Sequence, residues 1–182
     1  YDSEILERLH WVDATLHTER LSPEDVSLSF TGLTQEEHTK YYGVLRVMDA
    51  ALQPMRCRAE LKRFEPASLP VLYTISQDAL TLRSMEHTVE ETTSLFSNVL
   101  DSLKAGVQQN AGYSTLYFNF NNPVVARIFE ATDTQMITAA TEMMYVNALM
   151  MGHYPMNRSE LGLMNRSVLH FINWGLGNGQ NT

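Results

Sequence analysis

The sequence predicts an α+β fold: a small mixed sheet of about three strands with packed helices, closing on two long helices. Three observations carry that expectation. Stretches of period two, at 56–62, 71–75 and 116–120, are separated by stretches of helical period. Helix-start signals stand at Thr34-Gln35-Glu36-Glu37 and at Asn121-Asn122-Pro123. The last third holds two helical segments that are apolar over most of their circumference.

The first unit covers residues 1–30 and reads as helix, strand and short helix. Ile5, Leu6 and Leu9 share a helical face, and Ser22-Pro23-Glu24-Asp25 forms a cap, a first-turn Pro and first-turn acids. So small a piece cannot bury its own faces, so it reads as the tail of a neighbouring domain in a longer chain. A second unit, 34–177, opens on a capping box in which Thr34 and Glu37 satisfy each other's backbone donors. Tyr41, Leu45, Met48, Leu52 and Met55 then recur at steps of four and three, predicting a helix over about 35–53 that Pro54 ends.

In 56–62, Cys57, Ala59 and Leu61 face one way and the charged residues the other, as in a half-buried strand. Val71 to Ile75 is a second strand, and Pro66 and Pro70 punctuate a connection too long for a tight hairpin. Residues 78–104 are expected to be helical, with a poorly patterned start from Leu80 to Glu91. Leu116, Phe118 and Phe120 alternate with Tyr117 and Asn119 in a third strand, and a short helix runs from Pro123 to Phe129.

In the first closing helix Ile137, Ala140, Met144, Ala148 and Met151 keep near-heptad spacing, while Met136, Met143, Val146, Leu149 and Met150 add apolar surface on other sides. In the second, Ser159 is the expected cap. Leu161, Met164, Val168 and Phe171 form a stripe there, widened by Leu163, Leu169, Ile172 and Trp174, and Gly175, Gly177 and Gly179 close the helix. Surface in excess of one stripe needs cover on a second side, and a second copy of the same helices is the simplest cover. Residues 178–182 are expected to be a flexible tail.

Composition excludes several functions. Of 182 residues, 44% are apolar and 19% charged, a globular balance. A net charge of −8, with Arg56, Arg58, Lys62 and Arg63 diluted by Glu60 and Glu65, argues against nucleic acid and against an anionic membrane surface. The single Cys57 permits no internal disulfide and suits a reducing compartment, so a cytoplasmic location is expected. Its place on the inward side of a strand marks an inert thiol. None of the six His residues has the spacing of a zinc helix, and Glu86, Glu90 and Glu91 read as a solvated face. No catalytic, cofactor or metal residue is expected. The competing readings are a small enzyme or ligand-binding domain with a pocket between sheet and helices, and a dimeric regulatory domain.

Leu116-Tyr117-Phe118-Asn119-Phe120-Asn121-Asn122-Pro123-Val124-Val125 resembles the signature ending the last long strand of the C-terminal domain in the heat-shock protein 90 family. Asn119, Pro123 and Val125 match that pattern, while Phe120 stands where the family has Pro and Asn122 where it has His. Asn147-Ala148-Leu149-Met150, Asn165-Arg166 and Gly175-Leu176-Gly177 resemble the family's last two helices, Cys57 to Phe64 and Leu69 to Ser76 sit where the family has two successive strands, and the resemblance implies that residues 1–30 are the tail of its middle domain. The resemblance, of the bacterial type, implies a homodimer whose last two helices form a four-helix bundle across the subunits. It assigns Ile137, Ala140, Met144, Ala148, Met151, Leu161, Met164, Val168, Phe171 and Ile172 to that interface. It also implies contact of unfolded or partly folded client proteins through Leu80, Leu82 and Met85. ATP and Mg would be bound by a domain elsewhere in the full-length protein, since no glycine-rich phosphate cradle occurs here.

Overall fold

The computed structural model describes residues 8, 11–13, 15, 29–76, 79–81, 83–85 and 113–178. The elements expected within 1–28, most of the helix expected over 78–104, and the tail 179–182 lie outside the described residues. The chain divides into two units, Tyr1–Phe30 and Thr31–Thr182. In the first, the Asp13 carboxylate accepts hydrogen bonds from the N–H and hydroxyl of Thr15, at 2.9 and 2.6 Å.

The second unit is an α+β domain built on a three-stranded mixed sheet. Helix α1 spans Gln35–Leu52 and starts from the expected capping box, with Thr34 N–H on Glu37 Oε2 at 3.0 Å and Glu37 N–H on Thr34 Oγ1 at 3.3 Å. Glu37 also receives both ends of the Arg63 guanidinium, at 2.6 and 3.1 Å, so the helix start is tied to the segment just beyond the first strand. A single 3-10 turn at Gln53–Met55, containing Pro54, ends α1, and Arg56 reverses the chain at φ 52° in the left-handed region. Strand β1 follows at Cys57–Lys62, and the helix reaches it again where Asp49 Oδ1 accepts the Ala59 N–H at 2.7 Å.

Strands β2 (Val71–Thr74) and β3 (Ser114–Asn119) complete the sheet in the order β1-β3-β2. β3 is parallel to β1, with Leu61 opposite Phe118, and antiparallel to β2, with Val71 opposite the same Phe118. The alternation expected of β3 does not survive in its burial: Leu116, Tyr117, Phe118 and Asn119 are all buried. Its place between β1 and β2 covers both of its edges.

Asn119 ends β3 with a fully buried amide that replaces a hairpin. Its Nδ2 lies 2.8 Å from the Phe64 carbonyl, 3.0 Å from that of Leu69 and 3.3 Å from that of Pro66, while its Oδ1 accepts the N–H groups of Phe64 and Asn121. One side chain thus satisfies the β1–β2 connection that two strands could not close by pairing. Three residues on, Asn122 Oδ1 caps α2 (Pro123–Phe129) through Val124 and Val125, and its Nδ2 donates to the Ala67 carbonyl at 2.9 Å. Asn119, Pro123 and Val125 therefore do structural work at one corner, with Val125 in the core.

Helix α3 (Thr134–Met151) is capped by Asp133 and packs on α1, β2 and α4. Those three neighbours account for its apolar circumference, with Ile137, Ala140, Tyr145, Val146 and Leu149 all buried within the subunit. α4 (Arg158–Asn178) has α3 as its main support. Its cap is Asn157, two residues before the expected Ser159: Asn157 N–H donates to Glu160 Oε2 and Glu160 N–H to Asn157 Oδ1, both at 2.9 Å. It also runs through Gly175, which the sequence marks as a stop, to Asn178. The core joins Tyr41, Met48 and Leu52 of α1 to Leu116 and Phe118 of β3, Phe129 of α2 and the inner side of α3. Tyr41 and Phe129 meet edge-on at 5.5 Å.

Two outcomes are expected. Asn119→Ala strands buried carbonyls around Phe64, Pro66 and Leu69 and should cost about 3 kcal/mol or more, seen as a lower urea midpoint at unchanged slope. The Arg63 hydrogen bond, then the Thr34 N–H, hold Glu37 down from its ordinary 4.5 to about 2. A carboxylate with a lowered folded pKa adds stability above its unfolded pKa and loses it as pH falls through the folded one. Urea midpoints between pH 5 and pH 2 should therefore fall less for Glu37→Gln than for the parent.

Candidate dimerisation surface

A helix advances 100° per residue, so the two sides of α4 can be separated by position. Glu160, Leu163 and Ser167 are buried against the subunit. Leu161, Val168, Leu169, Ile172 and Leu176 fall in a sector of about 100° on the opposite side. All five are exposed, from 36% for Val168 to 69% for Leu176. Asn165, also exposed, sits in the middle of that sector. Gly162 and Gly175 border it, and a Cβ at either would meet nothing within 4 Å. A helix-interior Gly costs about 1 kcal/mol against Ala, and the subunit offers no packing reason for that cost at these two positions. Met150 and Met151 at the end of α3 are exposed as well.

The ten residues assigned to an interface from sequence divide into three groups. Met151, Leu161, Val168 and Ile172 are exposed. Met144, Ala148 and Met164 are half-buried and packed on the core, and Phe171 is half-buried. Ile137 and Ala140 lie in the subunit's own interior, where a partner cannot touch them. The near-heptad row of α3 is thus mostly an intramolecular contact, and the uncovered apolar surface belongs chiefly to α4. Leu169 and Leu176 are the residues that the sequence reading left out of the interface; their spacing from Leu161 and Ile172 would have found them. Of the residues assigned to client contact, Leu80 and Met85 are half-buried and Leu82 lies outside the described residues.

Arg83, on the same stretch as Leu80 and Met85, reaches the corner where α3 turns into α4. Its Nη2 is 2.5 Å from Glu160 Oε2, its Nε donates to the Pro155 carbonyl at 2.7 Å, and its Nη1 is 3.4 Å from the Tyr145 hydroxyl. Tyr145 donates in turn to Glu160 Oε1 at 2.7 Å. Burial first, then the neighbouring Tyr73 and Glu160, raises the Tyr145 phenol above its usual range and keeps it a neutral donor. No sequence signal links residues so far apart, although Asn157-x-x-Glu160 has the spacing of a cap.

Two clefts formed by described residues show what their side chains do. The groove between α3 and α4 brings together Glu142, Ser167 and His170, but Ser167 Oγ donates to Glu142 Oε2 at 3.2 Å and Arg166 pairs with the same carboxylate, so the hydroxyl faces an ion-paired acid. A second cleft of about 300 Å³ between β2 and the end of α3 is lined by apolar side chains such as Val71, Tyr73, Ala148 and Met151. Among the described residues no group of three or more His, Cys, Asp or Glu could hold a metal ion, and no helix is long and apolar enough to cross a membrane. Cys57 is buried, and burial pushes its thiol up to about 12. Neither family models nor curated proteins return a match to this chain.

The Cys57 environment gives a direct test. At pH 8 the folded chain should resist alkylation by iodoacetamide over hours and become labelled in step with unfolding in urea, as mass spectrometry would record.

Proposed function

We propose that residues 31–182 form a homodimerisation domain, and that the chain is the C-terminal dimerisation and client-contacting region of an ATP-dependent chaperone of the heat-shock protein 90 type acting in protein folding and stress response in the cytoplasm. The observation that carries the dimer is the exposed apolar sector of α4, opposite the side that α4 buries on its own subunit. Contiguous apolar surface of this kind marks an interface, and the bare glycines beside it suit close approach of a second helix. Two copies of α4, each backed by α3, would give a four-helix bundle. The chaperone assignment rests on the ordered resemblance from Cys57 to Gly177, within which Asn119 holds the β1–β2 connection, Pro123 opens α2 and Val125 lies in the core.

In this reading the domain has no catalytic step of its own. It joins two chaperone arms, so that a client binding both gains effective concentration, while ATP and Mg would be held elsewhere in the full-length protein. Clients would be met through the Leu80–Met85 stretch, and neither nucleic acid nor membrane is a partner.

Sedimentation equilibrium at tens of micromolar should give twice the 20.7 kDa of the chain. Ile172→Glu should raise the dissociation constant at least about a hundredfold, because it buries an unpaired charge in the seam, while leaving the unfolding free energy of the monomer, measured well below the dissociation constant, within about 0.5 kcal/mol of the parent's. A mass of 20.7 kDa throughout would remove the dimer reading. A dimer that fails to slow aggregation of an unfolded protein would point instead to a dimeric regulatory or ligand-binding domain unrelated to chaperones.

A further inference from the structure

Glu160 is nearly fully buried, with 2% of its side chain exposed, and its cation is Arg83, itself 12% exposed. A buried carboxylate needs a charged partner, and removing one member of such a pair costs several kcal/mol. That partner does not come from α3 or α4. It arrives from 77 residues upstream, on the stretch that carries Leu80 and Met85. The same guanidinium holds the Pro155 carbonyl in the turn between the helices, and the same carboxylate holds Tyr145 of α3 and the Asn157 N–H at the start of α4. Four pieces of chain therefore share one charge pair: the 79–85 stretch, α3, the turn and the first turn of α4.

If the fork leaves the pocket, the buried Glu160 keeps only the neutral donors Tyr145 and Asn157 N–H and loses its cation, so the unpaired arrangement is costly. With the fork engaged, the first turn of α4 is fixed on Tyr145 and the turn. With it released, that turn loses its electrostatic anchor, and the outer sector from Leu161 onwards loses its fixed direction. We propose that Arg83 is a positioning residue that couples docking of the 79–85 stretch to dimerisation through α4, so that a ligand displacing this stretch weakens the dimer and dimerisation tightens its docking. The proposal rests on the dimer reading above. The coupling is reciprocal by thermodynamic necessity: the factor by which dimerisation favours docking equals the factor by which docking favours dimerisation.

Hydrogen exchange on the chain, followed at protein concentrations well below and well above its dimer dissociation constant, tests this. Amides in peptides covering Leu80 and Met85 should exchange about tenfold more slowly in the dimer, within the range usual for coupled sites. Arg83→Met should abolish that concentration dependence and raise the dissociation constant by about the same factor. Arg83→Lys keeps the charge without the fork and should recover only part of either effect, which guards against a Met variant that folds poorly. A wild-type dimer whose 79–85 protection is the same at both concentrations overturns the coupling and leaves the dimer reading intact. So does an Arg83→Lys variant that folds but matches the parent in both readouts. A chain that stays at the monomer mass removes the dimer reading and the coupling with it, and sedimentation separates that failure from the other two.

Discussion

The buried amide of Asn119 is the constraint on which the sheet depends. β1 and β2 are consecutive in the chain yet not neighbours in the sheet, because β3 lies between them. Their connection cannot be closed by a ladder, and its polar backbone would be stranded at the edge of the core without another partner. Asn119 supplies both donors and an acceptor from the end of the strand that separates them. The next residues exploit the same corner: Asn122 starts α2 and holds the Ala67 carbonyl, which places Val125 and Phe129 under the sheet. A buried polar network of this kind is specific because each group in it has a partner, and no buried side-chain nitrogen or oxygen among the described residues lacks one.

The two closing helices have opposite situations despite similar composition. α3 is surrounded by α1, β2 and α4, so its apolar residues serve the interior of one subunit. α4 lies outside α3, turns Glu160, Leu163 and Ser167 inward, and leaves an apolar sector facing away. The polar residues on its inner side are affordable because each is answered: Glu160 by Arg83 and Tyr145, Ser167 by Glu142. The inner side of α4 is therefore mixed, with Leu163 beside answered polar groups, and its outer sector is mostly aliphatic.

Local signals were legible and long-range ones were not. The Thr34–Glu37 box, the Pro54 stop, the inward row Cys57, Ala59 and Leu61, and the Asn122–Pro123 start all depend on residues within a few positions of one another, and each stands in the structure as the sequence indicates. The central place of β3 and its parallel pairing with β1 depend on partners more than fifty positions apart, which periodicity cannot report. The same limit explains the interface residues. Apolar surface all around α3 signals cover on several sides, but the sequence cannot say whether the cover comes from the same chain, and for Ile137 and Ala140 it does. Gly175 is read as a stop by its type, whereas helix α4 passes through it to Asn178, since Gly permits a helix end without imposing one. Arg83 and Glu160 carry no local pattern that would pair them.

The attachment of α4 at its first turn has a mechanical consequence. From Glu160 to Leu176 the helix rises about 24 Å, so any small change in its direction at the first turn is magnified at its far end. A tilt of only about 10° at that turn sweeps the tip through about 4 Å, close to the width of a methyl group. A change too small to disturb the core can therefore move the far end of the helix by a whole side-chain step.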